Sequence, residues 1–328
     1  MASSSRPTRE VSPAVACVVV FLSLLTGACA RSPGPAPPQA AAPAAPAPTE
    51  PRAAQARPLV LTTALPLTLF TRAVADGCAT VEPLSSDAGD PHHSHARPGD
   101  LARLGKARIL VVNGLGLEAP LEAGIAAAAP PDLVRVEASR GVTPLKGPDG
   151  TPNPHVWLDP QRAIQQVRAI RDGLEAADPG CQDRYAANAD AFISRLKRLD
   201  GDLASQLAPF AGRRFVVSHD LAPYLADRYR LRSEPLVPTP DSLPSPADLQ
   251  RVGAVARAEG LKALLAEPGG HHHHDHGGDL QTVASDLGLR LLAFDPLETL
   301  PPDTTAGPDH YLDTMRRNGK ALVSALGG

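Results

Sequence analysis

The sequence predicts an α/β fold of two lobes, each on a mostly parallel sheet, joined by one long rigid helix. Three observations predict it. From Arg57 onward, short apolar runs alternate with stretches of helical period, the pattern of βα units. From Asp183 to about Leu207 a single helical face replaces that alternation, and after Pro209 the alternation resumes. The 328 residues suffice for about two domains.

In the first lobe, Leu59-Val60-Leu61 is a strand leading into a helical pattern that runs to Ala75. Arg108 to Val112 is a buried strand followed by a helical stretch, Leu117 to Ala129, and Asp132 to Val136 is a further short strand. Pro160 opens a helix to Ala177, since proline suits a first turn. In the joining segment Tyr185, Ala189, Phe192, Leu196, Leu199 and Leu203 recur at spacings of 4, 3, 4, 3 and 4, one face of a helix. Its length is about 37 Å at 1.5 Å per residue. In the second lobe Phe215-Val216-Val217 is a strand, Leu221 to Tyr229 is helical, and Pro244-Ser245-Pro246 starts a helix to Glu259. Leu261 to Ala266 and Leu289 to Phe294 are strands, and a last helix runs from about Tyr311 to Leu326. The lobes are thus 59–182 and 210–328, with the linker helix at 183–209.

What precedes the lobes is an export signal. Arg6 and Arg9 give a basic start, and Ala14 to Leu25 give an apolar run too short for a comfortable membrane span. Leu25-Thr26-Gly27-Ala28-Cys29 resembles a bacterial lipobox, which would make Cys29 the lipidated first residue after removal of residues 1–28; an ordinary signal with an incidental cysteine is the alternative. Residues 30–58 hold 9 Pro and 11 Ala, too little apolar surface to fold, and are expected to act as a tether. Of the remaining cysteines, Cys17 leaves with the signal. Cys78 and Cys181 are expected either to pair, as an oxidising compartment favours, or to stay as two buried thiols. Near-balanced charge, 32 basic against 35 acidic residues, argues against nucleic-acid binding, and the lack of a second long apolar run argues against a multi-span membrane protein.

Eight of the 11 histidines fall in two clusters, His92, His93 and His95, and His271, His272, His273, His274 and His276. The other three are His155, His219 and His310. His219 follows the strand Phe215 to Val217, and Asp295 follows Leu289 to Phe294, so both sit at carboxyl ends of strands, where open α/β sheets bind ligands. His155 and His92 follow the turn-rich segments Thr151 to Pro154 and Asp90-Pro91. Three imidazoles and a carboxylate suit four-coordinate Zn²⁺. Each residue alone also fits a plainer role: a surface or hydrogen-bonded histidine, or, for Asp295, a turn former. The tract 269–278 is flanked by glycines and fits an exposed loop, either an auxiliary zinc collector or a solvated insertion.

Asp90-Pro91-His92, Arg97-Pro98-Gly99-Asp100-Leu101 and Asn113-Gly114-Leu115-Gly116-Leu117-Glu118 resemble the first-lobe signature of the metal-binding proteins of bacterial zinc and manganese ABC importers. Asn153-Pro154-His155-Val156-Trp157-Leu158-Asp159-Pro160, Val216-Val217-Ser218-His219-Asp220 with Tyr224, Ala266-Glu267-Pro268 and Phe294-Asp295-Pro296-Leu297 are similar to its later signatures, in order along the chain. The resemblance implies two α/β lobes bridged by one helix, and His92, His155, His219 and Asp295 as metal ligands. It implies Zn²⁺ rather than Mn²⁺, because manganese-binding relatives usually carry a carboxylate where this chain has His219. Glu267 would lie close to the site. The chain departs from the family in two places: His93 and His95 crowd the first motif, and the histidine tract lies late, between Glu267 and Asp295. The function implied is non-enzymatic: an exported, lipid-anchored monomer, periplasmic or on the cell surface, that passes zinc to an ABC permease. A manganese or iron carrier, a zinc hydrolase using Glu267 as base, and a metal buffer without a permease are the rivals. No His-Glu-x-x-His motif favours the hydrolase.

Overall fold

The computed structural model describes residues 57–85, 96–148, 150–239, 242–267, 280–299 and 306–327. The signal, Cys29, all but the last two residues of the tether, both histidine clusters and residues 268–279 lie outside them.

The first sheet contains β1 (Leu59–Thr62), β2 (Thr80–Pro83), β3 (Ile109–Val112) and β4 (Val134–Glu137), in the order β2-β1-β3-β4. The second contains β5 (Arg214–Val217), β6 (Arg232–Pro235), β7 (Ala263–Ala266) and β8 (Arg290–Ala293), in the order β6-β5-β7-β8. All six pairings are parallel, so both lobes repeat one topology. The helices are α1 (Leu65–Ala75), α2 (Pro98–Leu104), α3 (Glu122–Ala128), α4 (Pro160–Ala177), α5 (Gln182–Leu207), α6 (Pro223–Arg228), α7 (Pro246–Glu259), α8 (Leu280–Asp286) and α9 (Asp309–Ala325). Edge strands β2 and β6 and short helices α2 and α8 were not anticipated.

Successive strand residues point to opposite faces, and here both faces are covered. Ile109 and Val111 face an inner core, whereas Leu110 and Val112 join an outer cluster with Leu104, Leu121 and Ile125. In the second lobe Phe215 and Val217 face inward, whereas Val216 packs outward with Val252, Leu264 and Ala284. This explains the continuous apolar runs of the central strands.

Helix ends follow local chemistry. The Asp159 carboxylate accepts from the Gln161 N–H at 2.8 Å, with Pro160 in the first turn of α4. Ser245 and Asp248 form a capping box at the start of α7, and Gly260, at φ 65°, ends it. Along α5 the six residues of the anticipated face are all buried, joined by Ile193, Asp200 and Leu207. The α5 carboxylate Asp200 binds Arg228 of α6 (Nε to Oδ1, 2.8 Å), Gln161 of α4 and Tyr229. Burial alone would raise its pKa, but these partners outweigh burial and hold it below the usual carboxylate range.

The inner core is shared. Residues of the first sheet, α1, α4, α5, α9 and the second sheet form one cluster, within which Phe70 of α1 meets Tyr311 of α9 edge-on at 4.8 Å between ring centroids. Arg72 of α1 also donates to the Ala306 carbonyl at 2.7 Å.

Cys78, just beyond α1, is disulfide-bonded to Cys181 at the start of α5, with Cα atoms 6.2 Å apart and a sequence separation of 103. The bond ties the first lobe to the linker helix. Replacing both cysteines with serine is expected to lower unfolding free energy by about 2–4 kcal/mol, the usual effect of removing a long-loop crosslink. Urea unfolding of the oxidised parent and the variant measures it.

Candidate metal centre

Three buried side chains, one from the first lobe and two from the second, converge. Among the described residues, ligand atoms of His155, His219 and Glu298 all lie within 4.8 Å of one another. His219 follows β5, as expected for a ligand at a strand's carboxyl end. His155 precedes a short 3₁₀ turn, Val156–Leu158, that leads into α4. Glu298 lies in the loop after β8. The His155 and His219 rings are 5.6 Å apart between centroids, and His155 Nε2 lies 2.8 Å from Glu298 Oε1.

Hydrogen bonds on the backbone hold these loops in place. Trp157 Nε1 donates to the Pro296 carbonyl at 2.7 Å, fixing the Glu298 loop against the His155 turn. The Tyr311 hydroxyl donates to the Trp157 carbonyl at 2.6 Å. Tyr224 accepts from the Leu145 N–H at 3.0 Å and donates to the Asn153 carbonyl at 2.7 Å, which fastens the loop before His155 to the second lobe. Beyond β3, residues 114–116 all have positive φ; Glu118 accepts from the N–H groups of Asn113 (2.7 Å) and Gly114 (3.0 Å) and from the Thr63 hydroxyl. Burial pushes the Glu118 carboxyl up, against the lowering effect of those donors.

The structure brings His155 and His219 together; His92 lies outside the described residues. Asp295 does not join the group. Its Oδ1 accepts from the Leu297 N–H at 2.8 Å, and its backbone pairs twice with Asn318 of α9, at 2.9 and 2.7 Å. These bonds are those of a turn former, the plainer of the two readings of Asp295. Burial raises its carboxyl, with His310 and Arg317 nearby acting in the opposite sense. Glu298, which no sequence motif singled out, stands in the group instead. The turn that delivers it passes through Leu297 at φ 63°, a conformation few non-glycine residues adopt. The one signal was a second carboxylate three residues after Asp295. Glu267 is also outside the group; its Oε1 accepts from the Thr299 hydroxyl at 2.8 Å and steadies the loop beside Glu298.

Two lobes on parallel sheets, one bridging helix and a buried imidazole–carboxylate cluster between them define a two-lobed metal-binding protein. Residues 60–325 match the family ZnuA, "zinc-uptake complex component A periplasmic", and the chain belongs to that family. It is 25% identical over 282 residues to the high-affinity zinc uptake system protein ZnuA of Bacillus subtilis, covering 81% of this chain and 87% of the relative. It is 27% identical over 240 residues to the manganese-binding lipoprotein MntA of Halalkalibacterium halodurans, covering 72% and 78%. Among solved structures, the Zn(II)-bound ZnuA-like domain of Streptococcus pneumoniae AdcA is 26% identical, with a TM-score of 0.70 over 83% of this chain and 100% of that one. A crystal structure of ZnuA gives a TM-score of 0.72 at 25% identity, over 83% and 100%.

Proposed function

We propose that this protein captures Zn²⁺ outside the cytoplasmic membrane, grips it between its lobes and delivers it to the permease of an ABC importer. The observation that carries this is the convergence of His155, His219 and Glu298 from both lobes. Two imidazoles and one carboxylate are a zinc-type donor set, and His92 is the proposed fourth ligand. Glu298, rather than Asp295, is proposed as the carboxylate. Manganese is the second candidate, favoured by the manganese-binding relative; the imidazole of His219 weighs against it, since harder oxygen donors suit manganese. The relatives' names describe metal uptake and metal binding, not hydrolysis. Cys29 as lipid anchor, residues 30–58 as tether and a monomeric state complete the proposal. Among the described residues no helix is long and apolar enough to cross a membrane.

Metal analysis tests it, on protein purified through a tag other than polyhistidine. One tight zinc equivalent per chain is expected, resistant to excess manganese, with further weaker equivalents that vanish on deletion of residues 271–276. Tight binding should weaken as pH falls through about 6, because a metal-bound imidazole must be deprotonated. Preferential retention of manganese in the competition would overturn the assignment.

A further inference from the structure

Asn153 lies in the second signature, two residues before His155. Its Nδ2 donates to the Asp220 carbonyl at 2.6 Å and lies 3.1 Å from Asp220 Oδ2. A carbonyl only accepts, so the NH₂ group must face Asp220 and Oδ1 must face the other way. On that other side Oδ1 accepts the His155 backbone N–H at 3.0 Å and lies 3.0 Å from His155 Nδ1. A carbonyl-type oxygen offers no proton, so Nδ1 must carry the hydrogen of that bond. In the neutral ring that can bind a metal, the lone pair is then on Nε2, the nitrogen aimed at Glu298. The orientation of one amide thus follows from a backbone carbonyl in the second lobe, and it dictates which nitrogen the first lobe offers.

We propose that Asn153 is a positioning residue that bridges the lobes: it sets the tautomer and direction of His155 while holding the turn that carries His219 and Asp220. The inference rests on the zinc-capture function proposed above. Ligating histidines commonly donate their second nitrogen to an oxygen acceptor, and losing such a partner typically costs 10–100-fold in metal affinity. Here the acceptor's other end is anchored to the neighbour of a second ligand, so the two ligands are set together and the metal meets both already oriented.

The test compares Asn153→Leu with Asn153→Asp, which retains the acceptor but loses the donor. Zinc affinity is read by chelator competition, and thermal unfolding of the metal-free proteins checks the fold. N153L is expected to bind zinc about 10–100-fold more weakly than the parent, and N153D is expected to retain more affinity than N153L. A long-range ¹H–¹⁵N spectrum of the zinc-loaded parent should show His155 protonated at Nδ1 and ligated through Nε2. N153L as tight as the parent, N153D no better than N153L, or the opposite tautomer in the parent would overturn the inference. The spectrum decides by itself if N153L does not fold. Replacement of His219 by alanine, run alongside, separates the two levels: if it also leaves affinity intact, zinc capture at this site fails, whereas an unchanged N153L beside a weakened H219A removes only the role of Asn153.

Discussion

Replacing His219 with alanine should lower zinc affinity by about two to three orders of magnitude. A four-ligand zinc site is worth roughly 10–16 kcal/mol, so one ligand carries about 2.5–4 kcal/mol, at about 1.4 kcal/mol per factor of ten. His219 is 5% exposed and sits just beyond β5, where His155 is the one other imidazole of the group among the described residues. Chelator competition measures the affinity. The metal-free unfolding midpoint should move little, because β5 is held by its pairings with β6 and β7 and by the burial of Phe215, Val216 and Val217. Parental zinc affinity in this variant would remove the residue from the site.

The second large effect separates two carboxylates three residues apart. Glu298→Ala should weaken zinc binding by about two to three orders of magnitude on the same per-ligand estimate. Asp295→Asn should change it less than tenfold on that scale, because asparagine keeps the oxygen that accepts the Leu297 N–H. Asparagine is the informative replacement at 295: alanine would also free the turn and displace Glu298 indirectly. The opposite ranking would return Asp295 to the coordination sphere.

Much of this architecture was legible in the residues, and what was not has physical causes. The central strands announce themselves as apolar runs because both of their faces are buried. Edge strands β2 (Thr80–Pro83) and β6 (Arg232–Pro235) do not: each lies at a sheet margin, carries charge and ends in proline, the composition of a loop. The linker helix was legible because its buried face keeps one period over 26 residues. The nearness of His155 to His219 was legible because their motifs fix strand ends and turns. The approach of Glu298 to the two histidines was hidden by a backbone conformation: a leucine at φ 63° is not a residue one expects in a left-handed turn. The pairing of Cys78 with Cys181 was one of two open alternatives until the chain path brought their Cα atoms within 6.2 Å.

The apolar interior that runs unbroken from one sheet to the other bears on how cargo changes hands. Swinging the halves apart would expose Phe70, Tyr311 and their neighbours to water, at about 25 cal/mol for each Å² of apolar surface. A carrier built this way is expected to keep its two halves together whether filled or emptied. Release is then expected to begin in the loops around the cluster, which the Trp157 Nε1 bond to the Pro296 carbonyl ties together, rather than by parting the lobes.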